Sequence, residues 1–307
     1  MPIVSQIVPR SMNGSFVIAT WNCFGQGQGF LDALTANRAP YGERLSHDEV
    51  TSTLASANVV CIQEVLSKDA ETFFDGLGSA RVRDHNGAHL ASATLRGSGL
   101  GIASRHPLSS HRLAPFGGPR VGWDRLARKG TLHARMNIDG VEIDVLTAHM
   151  QSGYDSAAVR VRAWQIEALG RRVAELGSDG RPFIVAGDFN VCGLESNERE
   201  YESLCRALPD FEDLGAASNL PTFDPHPERN SLAHEVEPDS RAQRLDYLFV
   251  RSARRGAQVR ARSVGRILDR PIDSKGESVG VLPARRPIGA RAFASDHFGL
   301  AASLEFA

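Results

Sequence analysis

Short apolar runs that end on polar side chains recur along the chain, and they predict a fold rich in β-strands. Asp139-Gly140 separates two of these runs and is typical of a two-residue hairpin turn, so we expect those two strands to pair antiparallel. The predicted strands are Phe16–Thr20, Val59–Gln63, Gly99–Ser104, Thr131–Ile138, Val141–Ala148, Phe183–Ala186, Leu245–Val250, Ala257–Val264 and Leu300–Glu305.

Helical periodicity is clearest between Ser156 and Leu176, where Ser156 is placed to cap the helix and Gly177 to end it. The apolar stripe of this helix is predicted to be Val159, Ala163, Ile166, Leu169 and Val173. Shorter helices are expected at His47–Ser56 and Lys68–Leu77, and long surface loops at Pro221–Pro238 and Arg251–Arg291. No linker interrupts the pattern. We therefore expect one α+β domain over residues 1–307, with residues 1–14 as a loose N-terminal extension.

The composition is that of a globular protein, with 42% hydrophobic and 23% charged residues among 307. It excludes collagen, coiled coil and wholesale disorder, and no apolar run reaches the ~18 residues of a membrane span. Met1 to Arg10 has neither a basic start nor a long apolar core, so we expect no signal peptide and a cytoplasmic protein. We also expect a monomer. Leaderless secretion and a leader already removed are the alternatives.

Neither the charge distribution nor the cysteine content decides which kind of partner or substrate the protein has. The net charge is -1, but Arg251–Arg291 holds eleven Arg or Lys residues against three acidic ones. Such a segment suits a polyanion, a phosphate substrate or an anionic membrane surface, and a solvated arginine-rich loop is the plainer interpretation. The four cysteines match no zinc motif, so we expect reduced, mostly buried thiols, with one disulfide as the alternative.

Polar residues that could carry chemistry lie where the predicted strands begin or end. A core does not need carboxylates and imidazoles at so many strand ends, whereas a site assembled from several rigid strands does. Each residue alone is equally expected in a turn or a helix cap, so the argument depends on the whole set. The set is Asn22, Glu64, His149, Asp188, Asn190, Asp246, Asp296 and His297.

Strand alternation suggests which kind of metal such a site would bind. Asp188 and Asn190 are two residues apart and are predicted to point to one side of their strand. The same alternation directs Cys23 away from Asn22, and Cys61 away from Glu64. Oxygen ligands without thiolates favour Mg²⁺, Mn²⁺ or Ca²⁺ over zinc.

The chain resembles the deoxyribonuclease-I-like endonuclease/exonuclease/phosphatase superfamily in six motifs that follow the order of that family from Asn22 to His297. The resemblance implies a four-layer αββα sandwich of two mainly antiparallel sheets, a divalent metal and hydrolysis of phosphate esters. The motifs are Trp21-Asn22, Gln63-Glu64, Ala148-His149, Gly187-Asp188-Phe189-Asn190, Leu245-Asp246-Tyr247 and Ser295-Asp296-His297.

The same resemblance implies a role for each residue of the set. Glu64 is the expected chief metal ligand, with Asn22 and Asp296 beside it. His297 is the expected general base, and Asp246 orients its imidazole. Asp188 and Asn190 are expected to position the attacking water and the phosphate oxygens. His149 is expected to donate a hydrogen bond to the phosphate.

Two further stretches resemble the neutral sphingomyelinase branch of that superfamily. Asp124 to Gly130 is similar to its Asp-x-Leu-Ala-x-Lys-Gly stretch, and Thr147 to Gln165 to its Thr-His-x-Gln segment and following helix. This similarity implies substrate contacts for Lys129, Arg162 and Gln165 and a phospholipase-C-like activity on a phospholipid headgroup. Membrane-inserting aromatics have no clear match, and Phe116 and Trp123 are the nearest candidates.

Two other functions remain open from the sequence. A magnesium-dependent nuclease acting on DNA or RNA would use Arg251–Arg291 to bind along a phosphate backbone. A phospholipase C would use the same segment to contact anionic headgroups. A binding module without chemistry is disfavoured, because no position in the six motifs is substituted.

Overall fold

The structure, a computed structural model, describes residues 14–25, 42–84, 97–194, 198–273 and 291–307. Its helices are α1 (Asp48–Ser56), α2 (Lys68–Asp75), α3 (Ser156–Leu176), α4 (Glu198–Ala207) and α5 (Ser231–Val236), with 3-10 turns at Gly42–Ser46 and Gly122–Leu126. Its strands are β1 (Ser15–Asn22), β2 (Val59–Gln63), β3 (Ala80–Arg83), β4 (Gly101–Ser104), β5 (Leu108–Pro115), β6 (Gly130–Ile138), β7 (Val141–His149), β8 (Phe183–Asp188), β9 (Glu212–Asp213), β10 (Asp246–Arg251), β11 (Val259–Ile267), β12 (Ile272–Asp273), β13 (Arg291–Ala292) and β14 (Gly299–Phe306).

Two six-stranded sheets form the centre of the fold. The first has the order β11-β14-β1-β2-β4-β3 and the second the order β5-β6-β7-β8-β10-β9. Pairing is antiparallel except between β1 and β2 and between β7 and β8. The predicted hairpin is present, since β6 and β7 pair antiparallel around Asp139-Gly140.

Three apolar clusters show that the sheets and helices form four layers. Side chains such as Ile18 and Val145 fill the space between the two sheets. The outer face of the first sheet packs against α1 and α2 through residues such as Leu54 and Phe74. The outer face of the second sheet packs against α3 and α4, for example through Leu169. The expected αββα sandwich of two mainly antiparallel sheets is therefore confirmed.

The strands that the sequence did not predict include two at sheet edges. β3 and β5 form one edge of each sheet, and most of their side chains are exposed or only half-buried. An edge strand with solvent on several sides does not need apolar side chains at alternate positions. The hydrophobic pattern therefore fails to reveal it, although it reveals the central strands.

Helix α3 has the predicted bounds, but its cap and buried face differ from the prediction. Asp155, not Ser156, caps the helix, and its carboxylate accepts from the backbone of Ala157 and Ala158. The buried face includes two polar residues, Arg162 and Gln165. A stripe chosen by apolar character alone could not include them. The predicted stripe is also wrong at Val159, which is half-buried, and at Ala163, which is exposed.

Both segments that were predicted as long loops contain regular structure. Pro221–Pro238 includes helix α5, and Arg251–Arg291 includes strand β11 together with β12. Residues 274–290, and residues 1–13 of the predicted N-terminal extension, lie outside the described residues. The four cysteines are free thiols, three of them buried. Among the helices described here, none is long and apolar enough to cross a membrane.

Candidate active site

The strand order brings the polar strand ends to one edge of the sandwich. β1 ends at Asn22 beside the end of its parallel neighbour β2, which Glu64 follows. In the second sheet, β7 ends at His149, which pairs in register with Asp188 at the end of β8. Asp246 begins β10 opposite Asp188. Because parallel strands end together and antiparallel neighbours begin there, one edge collects side chains from distant parts of the chain.

His297 and Asp246 form a buried hydrogen-bonded pair. The Nδ1 atom of His297 lies 2.8 Å from Oδ2 of Asp246, and its Nε2 atom lies 3.9 Å from Oδ2 of Asp188. Burial alone would lower the pKa of His297, but the charges of Asp246 and Asp188 outweigh burial and raise it well above its usual value. Burial also raises the pKa of Asp246 to about 6.

Asp188 connects the two sheets at this edge. Its Oδ2 atom accepts from the amide of Asn22 at 2.9 Å, and its Oδ1 atom accepts from the backbone of Asn190 at 2.9 Å. Burial disfavours the ionised form of Asp188, but the charges of His297 and His149 hold its pKa below the usual value. Asp188 thus lies within reach of both imidazoles.

Asn190 reaches the site through a turn and not through strand alternation. β8 ends at Asp188, and Asn190 has a left-handed φ of 52°. The hydrogen bond from its backbone to the Asp188 carboxylate forms the turn, and its amide donates to the carbonyl of Met150 at 3.1 Å. Asn190 therefore lies beyond the strand, so the alternation from which its side was predicted does not extend to it.

Glu64 is the residue that best fits a metal ligand. It is buried, its φ of 63° is left-handed, and its Oε2 atom has no hydrogen-bond partner among the residues that the structure describes. Burial and the charge of Asp296 raise the pKa of Glu64 to about 7. A buried carboxylate oxygen without a partner beside another carboxylate is strongly disfavoured unless a cation compensates it, so these residues fit a hard divalent ion.

A second group of potential ligand atoms lies close by. Atoms of Asp188, Asp246 and His297 all lie within 4.8 Å of one another. The Nδ1 atom of His297 already shares its proton with Asp246, so an ion bound between those two would break their hydrogen bond. The oxygen of Glu64 therefore remains the better anchor for a divalent cation.

His149 lies between the carboxylates and Lys129. Its Nε2 atom is 2.9 Å from Nζ of Lys129, 3.5 Å from Oδ2 of Asp188 and 3.9 Å from Oε1 of Glu64. Burial, and then the charge of Lys129, lower the pKa of His149 to about 3. An ammonium group can only donate, so Nε2 must accept from Lys129 in this arrangement. Donation from that nitrogen to a phosphate requires Lys129 to move.

Lys129 is placed at the site by the stretch that precedes β6. Its ammonium group donates to the carbonyl of Met150 at 2.7 Å and pairs with Asp124 at 3.0 Å. Asp124 also accepts from the side chain of Gln151 and from Ser152. The predicted contact of Lys129 with substrate stays a prediction, and its position beside His149 supports it.

Arg162 and Gln165 lie beneath the loop that joins β7 to α3. Arg162 pairs with Glu200 through two hydrogen bonds and donates to the carbonyls of Gln151 and Gly153. The side-chain oxygen of Gln165 accepts from the backbone of Gln151 at 2.8 Å. Their predicted contact with substrate stays untested, and these hydrogen bonds support an indirect role in holding the loop.

Two buried residues that the sequence did not indicate support the site. The hydroxyl of Thr222 accepts from the backbone of Leu245 and Asp246. Asn230 caps α5 and donates to the carbonyls of Ser295 and Asp296. Both lie in the stretch that was predicted to be a Pro-rich loop, where a threonine or an asparagine carries no distinguishing pattern.

Four exposed arginines of the described basic segment lie at the opposite end of the sandwich. β10 starts at the site with Asp246 and reaches Arg251 about 17 Å away at 3.4 Å per residue. β11 then starts from that far end, where Arg260 pairs in register with Glu305. The distal arginines, as we name them, are Arg254, Arg255, Arg260 and Arg262. These four arginines are therefore too far from the site to contact the phosphate that it binds, and the predicted contact of Arg251–Arg291 with a membrane surface or a nucleic-acid backbone stays a prediction.

The chain is related to known proteins over most of its length. Residues 19–297 match the Endonuclease/Exonuclease/phosphatase family. Phospholipase C of Staphylococcus aureus is 25% identical over 175 residues, which are 54% of this chain and 50% of that protein. The match thus spans about half the length of that curated relative.

Solved structures with the same fold cover nearly the whole chain. Beta toxin from Staphylococcus aureus with bound magnesium ions has a TM-score of 0.75 at 16% identity, and sphingomyelinase C from Streptomyces griseocarneus has 0.73 at 18%, each covering 94% of this chain and 99% of theirs. D. rerio TDP2 complexed with single strand DNA product has a TM-score of 0.66 at 17% identity, over 95% and 99%. The chain therefore belongs to the Endonuclease/Exonuclease/phosphatase family and has the deoxyribonuclease-I-like fold.

Proposed function

We propose that this protein is a divalent-metal-dependent hydrolase of phosphodiesters whose substrate is a phospholipid of the sphingomyelin type. The observation that carries the proposal is the buried His297–Asp246 pair, whose free imidazole nitrogen faces Asp188 beside the unpartnered oxygen of Glu64. A base, an orienting carboxylate and a ligand for a hard cation therefore share one edge of the sandwich.

Activation of water is the task of His297. The Asp246 carboxylate can only accept from Nδ1, so the proton of a neutral imidazole resides there and the lone pair of Nε2 faces the site. Nε2 takes a proton from water, and the water oxygen attacks phosphorus while the bond to the leaving oxygen breaks. The leaving oxygen takes a proton from solvent and departs as an alcohol, and His297 later releases its proton to solvent. Asp188 is placed to accept a hydrogen bond from the second O–H group of that water. Because the water attacks phosphorus directly, no covalent intermediate is needed.

The phosphate is bound by groups on the other side of Asp188. When bound, a divalent cation at Glu64 supplies charge that polarises the phosphate and offsets the carboxylates that keep His297 protonated. Lys129 adds a second positive charge, and Asn22 and Asn190 fix the position of Asp188. Asp296 lies close enough to raise the pKa of Glu64, which is consistent with a shared ion.

Two observations favour a lipid as the substrate. The relatives of this chain include a phospholipase C and a sphingomyelinase C, although at 25% identity or less. Trp123 lies in the 3-10 turn that precedes Lys129, and it is 69% exposed, whereas Phe116 packs against the core. An exposed aromatic ring at the edge that holds the site suits contact with a lipid surface.

A nuclease is the second candidate function. TDP2 with its single strand DNA product shares the fold, so the fold itself accommodates a nucleic acid. The distal arginines do not favour this alternative, because they lie at the end opposite the site.

The two functions are separated by one parallel assay. Purified protein with Mg²⁺ is offered sphingomyelin, a lysophospholipid, plasmid DNA and an abasic oligonucleotide, with His297→Ala and EDTA-treated protein as controls. Release of phosphocholine that requires both Mg²⁺ and His297 is the expected result. Cleavage of DNA without release of phosphocholine would replace the lipid proposal by the nuclease, and full activity in EDTA would refute the mechanism.

A further inference from the structure

Tyr154 is an aromatic residue that remains exposed although the loop around it is tightly held. Its side chain is 58% exposed. The loop before it is anchored by Arg162, which donates to the carbonyl of Gly153, and by Ser152, whose backbone donates to Asp124 at 2.7 Å. The ring is thus presented to solvent from a fixed position, which lowers the entropic cost of binding a ligand against it.

The hydroxyl of Tyr154 is fixed at both of its bonding positions. It accepts from the amide of Gln243 at 2.6 Å and donates to Oε2 of Glu237 at 3.4 Å. Ser240 donates to the same oxygen of Glu237 at 2.8 Å. Tyr154 and Glu237 therefore form an aromatic ring with an adjacent exposed carboxylate, which we call the aromatic–acidic pair.

Direct packing connects the aromatic–acidic pair to the catalytic histidine. Gln243 pairs through two backbone hydrogen bonds with Phe223, and the ring of Phe223 packs against that of His297 with 5.4 Å between centroids. Burial raises the pKa of Asp296, and the negative charge of Glu237 is among the nearby charges that raise it further. The pair thus borders the site that would hold the phosphodiester.

The chemistry of this pair suits a cation that cannot donate hydrogen bonds. A quaternary ammonium group binds to the face of an aromatic ring and is further attracted by a neighbouring carboxylate. A polyanionic strand would instead be repelled by Glu237. Neither residue has a part in the hydrolytic steps described above, so their placement calls for a separate explanation.

We propose that Tyr154 and Glu237 form a subsite that binds a cationic, quaternary-ammonium-bearing alcohol group of the substrate. The inference rests on the proposed hydrolysis of a phosphodiester at His297 and adds to it the part of the substrate that is recognised. It assigns specificity to the loop after β7 and to the residue that follows α5.

The test compares two substrates that differ in one charge. One is para-nitrophenyl phosphorylcholine, and the other is its analogue without the positive charge, in which a tert-butyl group replaces the trimethylammonium group. The measured quantity is the ratio of their kcat/KM values, determined with Mg²⁺. Wild-type protein is expected to favour the choline ester about two- to thirtyfold, the range of a cation–π contact.

Four variants assign that preference to the aromatic–acidic pair. Tyr154→Leu and Glu237→Gln should each lower the ratio severalfold, whereas Tyr154→Phe, which keeps the ring, should retain most of it. Glu235→Gln removes the same charge from an exposed position on α5 and is the matched control, with an unchanged ratio. Thermal unfolding of each variant verifies that it folds.

The possible outcomes separate this inference from the proposed function. Equal hydrolysis of both esters by wild-type protein would overturn the subsite and leave the hydrolase proposal intact. If neither ester is hydrolysed, the proposed function fails, and calorimetric titration of phosphocholine and of its tert-butyl analogue, which lacks the positive charge, tests the subsite alone. Tighter binding of phosphocholine that is lost in Tyr154→Leu would support it, and equal affinities would overturn it.

Discussion

Replacing Glu64 by glutamine offers a sharp test of the electrostatics of the site. The change keeps the volume of the side chain but removes a charge that burial and Asp296 disfavour. Without a cation, the pKa of the carboxyl group is about 7 in the fold, against 4.5 in an exposed chain. At 1.36 kcal/mol for each pKa unit, the ionised group destabilises the cation-free fold by about 3 kcal/mol.

The sign of this effect defines the pH window of the measurement. A carboxyl group with a raised pKa does not affect stability below pH 4.5, where it is protonated in both states. Its destabilising effect grows as the pH rises from 4.5 to about 7 and is complete above that range. In EDTA, the unfolding temperature of Glu64→Gln should therefore equal that of the wild type below pH 4.5. At pH 8 it should be higher than that of the wild type by roughly 5–10 °C.

Thermal unfolding followed by circular dichroism, with and without Mg²⁺, is the assay. Mg²⁺ should raise the unfolding temperature of the wild type because a ligand that binds only the folded state stabilises it, and it should raise that of Glu64→Gln much less. Glu202→Gln, at an exposed position on α4, is the matched control. A Glu64→Gln protein that is less stable at pH 8 in EDTA, or that responds equally to Mg²⁺, would refute the assignment of Glu64 as an uncompensated cation ligand.

The remaining predictions concern the base, the loop and the far end of the sandwich. His297→Ala should lower kcat about 10²–10⁴-fold, and Asp246→Asn should cause a large part of that loss. The double variant should lose little more than His297→Ala, and additive losses would show that the two residues do not act as one unit. Activity should rise with pH through a pKa above 6.5, and Asp246→Asn should move that limb to lower pH, since the carboxylate is what raises the pKa of His297. Arg162→Met removes the guanidinium group that pairs with the buried carboxylate of Glu200 and should cost about 3–5 kcal/mol in chemical denaturation. A clearly smaller loss would show that water or other groups compensate this carboxylate. Changing the distal arginines to glutamate should leave hydrolysis of anionic vesicles unchanged, and a clear loss would place that end against the membrane.

Predicting the fold from the sequence succeeded where burial imposes a pattern. The central strands and α3 were found because their side chains must be apolar on the faces that pack together. β3 and β5 were missed because edge strands lack that constraint. Arg162 and Gln165 were excluded from the buried face of α3 because only a specific partner, here Glu200 or the Gln151 backbone, makes a buried polar group acceptable.

The candidate site shows the same division. Asn22, Glu64, His149, Asp188, Asp246 and His297 were visible in the sequence as polar residues at the ends of apolar strands. Their hydrogen bonds were not visible, because the partners lie far apart in the chain, 166 residues in the case of Asn22 and Asp188. Thr222 and Asn230, which hold Asp246 and Asp296 in place, left no pattern at all.

The sequence by itself determined that two apolar sheets would form and that polar groups would lie at the ends of their strands, because local periodicity and strand-end chemistry are properties of neighbouring residues. Only the tertiary structure decided which of these ends meet. The parallel pairing of β7 with β8 places His149 beside Asp188, and the path of β10 away from Asp246 carries the distal arginines to the opposite end. Apart from the β6–β7 hairpin, which the Asp139-Gly140 turn indicates locally, strand order and direction depend on how the sheets pack over the whole chain.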